Sequence, residues 1–179
     1  MKRTSLLVPA LVVGILALVA IGGASAKKPA LSATPVFKLN LKPSQEVPAI
    51  KGLKADAVGS VTFDLERSPA GAITSGEVIF YFNYSFPAAA TPPAVTITGL
   101  HIHQGAKGTN GAIVVSSGVV SIVDADGKGN VTTVVTGTAP ATLQAILDNP
   151  RGYYVNLHTS VPVHPEGALR AQMHNPKKR

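Results

Sequence analysis

The residues of this sequence best suited to chemistry are histidines, two of which are separated by a single residue. His101 and His103 are two apart on a predicted strand, so both side chains leave the same face. Neutral imidazoles spaced about 6–7 Å along a strand can converge on one ion. His158 ends another predicted strand, and His164 lies in the loop that follows. This set predicts a copper or zinc site, with Glu166 as a further possible ligand.

The same histidines also have an interpretation without metal. A His-x-His pair on a solvated strand face is common, and two imidazoles at a surface need no ion to account for them. The first hypothesis is therefore a binding or structural module with no cofactor. The alternative is a copper-binding or zinc-binding domain that uses His101, His103 and His158, with or without redox activity.

A second group of polar residues is predicted to have a structural role. Arg170 and Gln172 share the polar face of the last predicted strand, and Asn156 shares a face with His158. Glu46 stands near the start of the chain's folded part. A contact between Glu46 and Arg170 would tie the N-terminal segment to the C-terminal hairpin, although the sequence alone leaves that contact open.

Catalytic arrangements are not indicated elsewhere in the chain. Ser116 and Ser117 have no nucleophile-elbow motif, and no Ser, His and Asp are marked as a unit. Asp124 and Asp126 stand beside glycines and are predicted to form a hairpin turn rather than a calcium loop. The sequence has no cysteine, which excludes disulfides, thiolate zinc sites and a cysteine nucleophile. We therefore predict that the protein is not an enzyme.

The charge pattern argues against a nucleic-acid partner. The chain of 179 residues has 16 Lys and Arg against 9 Asp and Glu, but the basic residues are scattered or lie in the two tails. A nucleic-acid-binding protein would gather them on one face and interleave stacking aromatic residues. The expected partner is a protein or a cell-surface ligand.

The first 26 residues have the three parts of a secretory signal peptide. A basic start at Lys2 and Arg3 precedes the apolar run Leu6 to Ile21, and Ala24-Ser-Ala26 resembles a cleavage site. The apolar run is short for a membrane span, which needs roughly 20 residues, although an uncleaved anchor is the alternative. No second run of spanning length follows, so we expect a secreted or periplasmic protein without a transmembrane segment in its mature form.

The remaining chain has the period-two alternation of half-buried strands. Phe37, Leu39 and Leu41 alternate with polar residues, and later segments repeat this pattern. Because the phase of the alternation changes at Gly99, a bulge is predicted there. A hairpin is predicted at 68–71, and another at 124–129 with 130–136 as its returning strand. About eight strands predict an all-β, antiparallel, immunoglobulin-like sandwich.

One short helix is predicted before the last two strands. Thr138 is a candidate cap, Pro140 suits the first turn, and Leu143, Ile146 and Leu147 form one apolar face. Asn149-Pro150 would end this helix. The predicted organisation is a signal peptide at 1–26, a flexible tail at 27–35, one domain at 36–174 and a basic tail at 175–179.

Three separated blocks resemble the CHRD domain, first recognised as repeats in chordin. They are Leu41-Lys-Pro-Ser-Gln-Glu-Val-Pro48, Gly99-Leu-His-Ile-His-Gln-Gly105 with Asn110-Gly-Ala-Ile-Val-Val115, and Tyr154-Val-Asn-Leu-His-Thr159 with Pro165 to Gln172. The resemblance spans roughly residues 37–174 and implies a β-sandwich of immunoglobulin-like character. Its shared positions are Glu46, Pro48, His101, His103, Gly105, Asn156, His158, Gly167, Arg170 and Gln172. Ala168 and Ala171 stand where the family commonly has a carboxylate and a glycine.

The His-Ile-His stretch is also similar to the copper-ligand strand of copper/zinc superoxide dismutases. Those enzymes use six histidines, an aspartate and a disulfide, which five histidines and no cysteine cannot reproduce. A single copper held by His101, His103, His158 and either His164 or His174 is the arrangement that this similarity leaves open.

Overall fold

A computed structural model describes residues 34–176 of the chain. The predicted signal peptide, most of the N-terminal tail and the last three residues lie outside these described residues. Nine strands run β1 (Val36–Leu41), β2 (Asp56–Arg67), β3 (Ile73–Ser85), β4 (Val95–Gln104), β5 (Ile113–Ser116), β6 (Ile122–Asp124), β7 (Lys128–Val135), β8 (Tyr153–Val161) and β9 (His164–Gln172). A helix, α1 (Pro140–Asp148), lies between β7 and β8, and 3-10 turns occupy Pro43–Gln45 and Pro150–Gly152.

The strands form two antiparallel sheets. One sheet has the order β1-β2-β3-β7, and the other has the order β5-β4-β8-β9 with β6 also paired to β4. Alternate residues of both sheets enter one core, in which Phe63, Phe80, Leu100 and Leu157 are each 0% exposed. Burial of these side chains is the main favourable term in folding. The prediction of an all-β antiparallel sandwich is confirmed, with nine strands rather than about eight.

The bulge predicted at Gly99 is confirmed. The pairing of β4 with β8 shifts between Ile97 and Gly99, so that Ile97 and Leu100 both point into the core. His101 and His103 consequently share the outer face of this sheet, since strand side chains alternate. The bulge thus determines which face the histidines occupy.

The hairpin predicted at 68–71 is confirmed, because Gly71 N–H donates to Ser68 O at 2.8 Å between β2 and β3. The hairpin predicted at 124–129 is wrong. β6 pairs with β4, whereas β7 pairs with β3, so this turn crosses from one sheet to the other. Asp124 Oδ1 accepts the Asp126 and Gly127 N–H groups, which stabilises the turn locally whichever sheet each strand joins.

The predicted helix exists, but its cap differs. α1 begins after Ala139, with no side-chain cap hydrogen bond, so Thr138 does not cap it. Pro140 occupies the first turn, where its missing N–H has no cost. Leu143 and Ile146 are buried against the core as predicted. Within the described residues no helix is both long and apolar enough to cross a membrane.

Candidate metal centre

The outer face of the second sheet brings three of the five histidines together. One potential ligand atom from each of His101, His103 and His158 lies within 4.8 Å of the others. The ring centroids are 5.6 Å apart for His101 and His103, 4.9 Å for His101 and His158, and 5.6 Å for His103 and His158. Strand pairing explains this proximity, because Gly99 stands opposite His158 in the ladder between β4 and β8.

Two hydrogen bonds orient the rings. His103 Nδ1 is 2.9 Å from Gly111 O, and His158 Nδ1 is 2.8 Å from Pro165 O. A carbonyl oxygen can only accept, so each Nδ1 carries the proton and each Nε2 retains its lone pair. Metal-binding histidines commonly donate their second nitrogen to a backbone carbonyl in this way, which fixes the tautomer and the ring direction.

The free nitrogens of the cluster have no protein partner. His101 Nδ1, His103 Nε2 and His158 Nε2 are buried, and none makes a hydrogen bond. A buried polar atom without a partner is costly, and native proteins contain few of them. Because one potential ligand nitrogen from each ring lies within 4.8 Å of the others, a single metal ion between the rings would give the cluster the partners that it lacks.

Burial favours the neutral form of two of the rings, which is the form that binds a metal ion. Burial, reinforced by the nearby His158 and His103, lowers the pKa of His101 from 6.5 to about 4. Burial also lowers the pKa of His103, although its bond to Gly111 O opposes that shift. At neutral pH neither ring carries a proton that would compete with a metal ion.

His101 depends on a glycine for its position. A Cβ on Gly99 would lie 2.6 Å from His101 Cε1, closer than any real contact. The ring therefore rests directly on the backbone of Gly99, at the bulge. A side chain here would displace His101 from the cluster.

The other predicted ligands lie elsewhere. His164, predicted as the fourth ligand, begins β9 opposite Thr159 and is not part of the three-histidine group. His174 follows β9 and is exposed, and Glu166 is also exposed. The described residues thus contain a cluster of three histidines rather than four, because the turn between β8 and β9 carries His164 away from it.

The predicted polar cluster is present beside the histidines, but its contacts differ from those considered. Glu46 and Arg170 form no ion pair, since Lys42 and Asp56 make the one pair found in residues 34–176. Glu46 Oε2 instead accepts from Asn156 Nδ2 at 3.4 Å. Backbone bonds between Lys42 and Arg170, at 2.9 and 3.2 Å, tie the N-terminal segment to β9.

Arg170 anchors the loop that follows β4. The side chain is 1% exposed and donates to Asn110 Oδ1 at 3.0 Å and to Thr109 O at 2.9 Å. Its Cζ lies 3.5 Å from the centroid of the Tyr154 ring, which stacks on His103 at 4.9 Å. The loop ends at Gly111, whose carbonyl orients His103. Arg170 therefore supports the three-histidine cluster through this loop without belonging to it.

Sequence reasoning missed Tyr154 and Gly111. Tyr154 joins Arg170 to His103 by stacking, and its hydroxyl oxygen accepts the Gly111 N–H at 3.2 Å. Because side chains alternate along a strand, Tyr154 was expected on the same face as His158, and this spacing could have indicated that it lies near the histidines. Nothing local to Gly111 indicated that its carbonyl would reach His103.

Gly167 stands at a position where an added side chain should destabilise the fold. Its φ of +136° lies outside the range of L side chains, and a Cβ there would lie 2.4 Å from Asn156 Nδ2. We expect Gly167→Ala to lower the free energy of unfolding by about 2 kcal/mol through strain and overlap. Gly118→Ala is the matched control, because φ is +76° there with nothing within 4 Å. It should cost only about 1 kcal/mol. Equal losses in urea unfolding would show that the packing on Asn156 is unimportant.

The fold and the site define a class: a single β-sandwich module with a polar, histidine-bearing outer sheet face. The family model for the CHRD domain matches residues 37–173, and the chain therefore belongs to the CHRD family. This confirms the resemblance and supports a module of a general binding or structural kind. Comparisons with curated proteins and with solved structures found no match.

Proposed function

We propose that this CHRD protein is an exported, non-enzymatic module whose ligand is a divalent transition metal, copper or zinc, bound by His101, His103 and His158. One observation carries the metal assignment: one potential ligand nitrogen from each of the three rings lies within 4.8 Å of the others, in rings that each have a buried nitrogen without a hydrogen-bond partner. Imidazole suits both copper and zinc. The first hypothesis, a module without a cofactor, leaves these atoms without an explanation.

The geometry requires only a small closure on binding. Metal–nitrogen bonds of about 2.0–2.1 Å place tetrahedral ligand atoms roughly 3.4 Å apart. Movement of about 1 Å by each ring would bring the present separations into that range. Three protein ligands leave a fourth position, which water or a group from a partner would fill.

Titration of the metal-free protein tests the metal assignment. We expect Cu(II) or Zn(II) to bind with a submicromolar dissociation constant, and the His101→Ala/His103→Ala variant to lose at least about two orders of magnitude in affinity. His164→Ala and His174→Ala are the matched controls and should bind as the unaltered protein does. Equal binding by the double variant, or no uptake by the parent, would disprove the site.

Export is supported by the composition of residues 1–26, with their basic start, apolar run and Ala-x-Ala end. Mass spectrometry of the protein recovered from outside the cytoplasm should give a mature chain that begins at Lys27. A retained leader would instead favour an envelope anchor, and recovery only from the cytoplasm would contradict export.

A further inference from the structure

A second feature of the same molecule is an open cleft of about 690 Å³ beside the metal centre. The segment from Ser44 to Val47 and the loop at Lys107 and Gly108 both line it. Arg170 and Gln172 also line the cleft, together with Arg151 and His174. None of the three clustered histidines lines it, so the cleft is a separate site.

The charges around the cleft are mostly positive. Lys107, Arg151 and Arg170 are basic, and Glu46 is the one acidic residue among the lining residues. Clefts lined by one sign of charge focus the electrostatic potential and raise the local concentration of ligands of opposite sign. The two outer cations, Lys107 and Arg151, are exposed, and within residues 34–176 their side chains make no hydrogen bond or ion pair.

The backbone that carries these cations is held in place. Arg170 donates to Ala106 O and Thr109 O, on either side of Lys107, at 3.2 and 2.9 Å. Gln172 Nε2 donates to Arg151 O at 2.8 Å. Because both Nη atoms of its guanidinium group already donate to the loop, Arg170 supplies positive charge rather than new hydrogen bonds. A site whose backbone is already ordered loses less conformational entropy when a ligand binds.

Glu46 places a buried carboxyl group among the basic residues of the cleft. It is 7% exposed, lines the cleft, and has one carboxyl oxygen, Oε1, without a hydrogen-bond partner. Its burial, opposed by the charge of Arg170, raises its pKa to about 7. In its protonated form the carboxyl group can donate a hydrogen bond to an oxyanion instead of repelling it.

We propose that this cleft binds an organic anion through a carboxylate or phosphate group held between Lys107 and Arg151. Guanidinium and ammonium groups both form charge-assisted hydrogen bonds with such oxyanions. The same chemistry occurs in free small molecules and in acidic polysaccharides of a cell surface. The experiment must therefore distinguish these two sources.

The test uses the full mature chain, stripped of metal on a chelating resin and free of soluble chelator, with galacturonate, inorganic phosphate and hexagalacturonate as probes and maltohexaose as the neutral control. Amide NMR shifts should move saturably at residues 44–47, 107–108 and 151. Lys107→Ala/Arg151→Ala should weaken binding by about tenfold or more. Lys38→Ala/Lys128→Ala, which removes two exposed cations elsewhere, is the matched control and should not change binding.

Saturation by the monomers identifies a free anion as the ligand class, and saturation by the hexamer alone identifies an acidic polysaccharide. The proposal is overturned if no anion saturates the cleft, if maltohexaose binds equally, or if both double variants weaken binding alike. Repeating the titration with His101→Ala/His103→Ala separates this site from the metal centre. Anion binding should persist there, whatever the outcome of the metal titration.

Discussion

Replacing Arg170 with methionine is expected to lower the free energy of unfolding by about 3–5 kcal/mol. The variant loses charged hydrogen bonds to Asn110, Thr109 and Ala106, and the cation–π contact with Tyr154. A desolvated cation–π contact alone contributes about 2 kcal/mol. Urea unfolding can be followed by tyrosine fluorescence, since the chain has four Tyr and no Trp.

Two further variants serve as comparisons for Arg170→Met. Arg170→Lys keeps the charge but not the planar fork, so we expect an intermediate loss of about 2 kcal/mol. Arg151→Ala removes an exposed arginine from the same region and should change stability by no more than about 0.5 kcal/mol. An Arg170→Met protein that unfolds at the same urea concentration as the parent would show that the hydrogen bonds from Arg170 to this loop contribute little to stability.

The Arg170 substitution should also weaken metal binding at the proposed three-histidine site. Release of the loop frees the Gly111 carbonyl from its place beside His103 Nδ1. Loss of such an outer partner typically lowers metal affinity by about 10–100-fold. A folded Arg170→Lys protein with unchanged Zn(II) affinity would contradict this coupling.

Stability should depend on pH through Glu46 in the direction opposite to that of most carboxylates. Its pKa is about 7 in the folded protein against 4.5 in the unfolded chain, because burial disfavours the charged form. Between these values the folded state binds more protons, so the free energy of unfolding falls as pH rises. The full difference corresponds to about 3 kcal/mol.

His101 acts with the opposite sign over part of this range. Its folded pKa of about 4 lies below the ordinary 6.5, so the unfolded state binds more protons between those values. Its contribution therefore rises as pH increases from about 4 to about 6.5. His103, whose pKa burial also lowers, acts in the same direction as His101. In the metal-free parent the histidines and Glu46 therefore oppose each other between pH 4.5 and 6.5, and the loss due to Glu46 continues from there to about pH 7.

Glu46→Gln separates the two contributions. The variant should match the parent near pH 4.5 and be more stable by about 3 kcal/mol at pH 8, where the parent carries a buried charge. Urea unfolding in EDTA at several pH values measures the difference. Glu66→Gln, which removes an exposed carboxylate from β2, is measured alongside as the control for loss of a carboxyl group. Equal stability of Glu46→Gln and the parent at pH 8 would contradict the raised pKa.

Pairing between distant strands was only partly predictable. The alternation of Phe37, Leu39 and Leu41 and the phase change at Gly99 predicted the strands and the bulge, since both follow from the local period of two. The turn at 124–129 was assigned to a hairpin because its sequence is compatible with one. Whether β7 returns beside β6 or joins β3 depends on which sheet needs another strand, and no local residue encodes that choice.

The sequence by itself determined the chemistry of the candidate site: His101 and His103 share a face because a strand alternates, and His158 was the third histidine expected. Only the tertiary structure decided that His158 joins them while His164 does not, because that depends on the pairing of β4 with β8 and on the turn before β9. It alone placed Gly111 O and Pro165 O behind the rings. Side-chain type is carried locally by the chain, whereas the separation of atoms distant in sequence is set by how the sheets pack and pair.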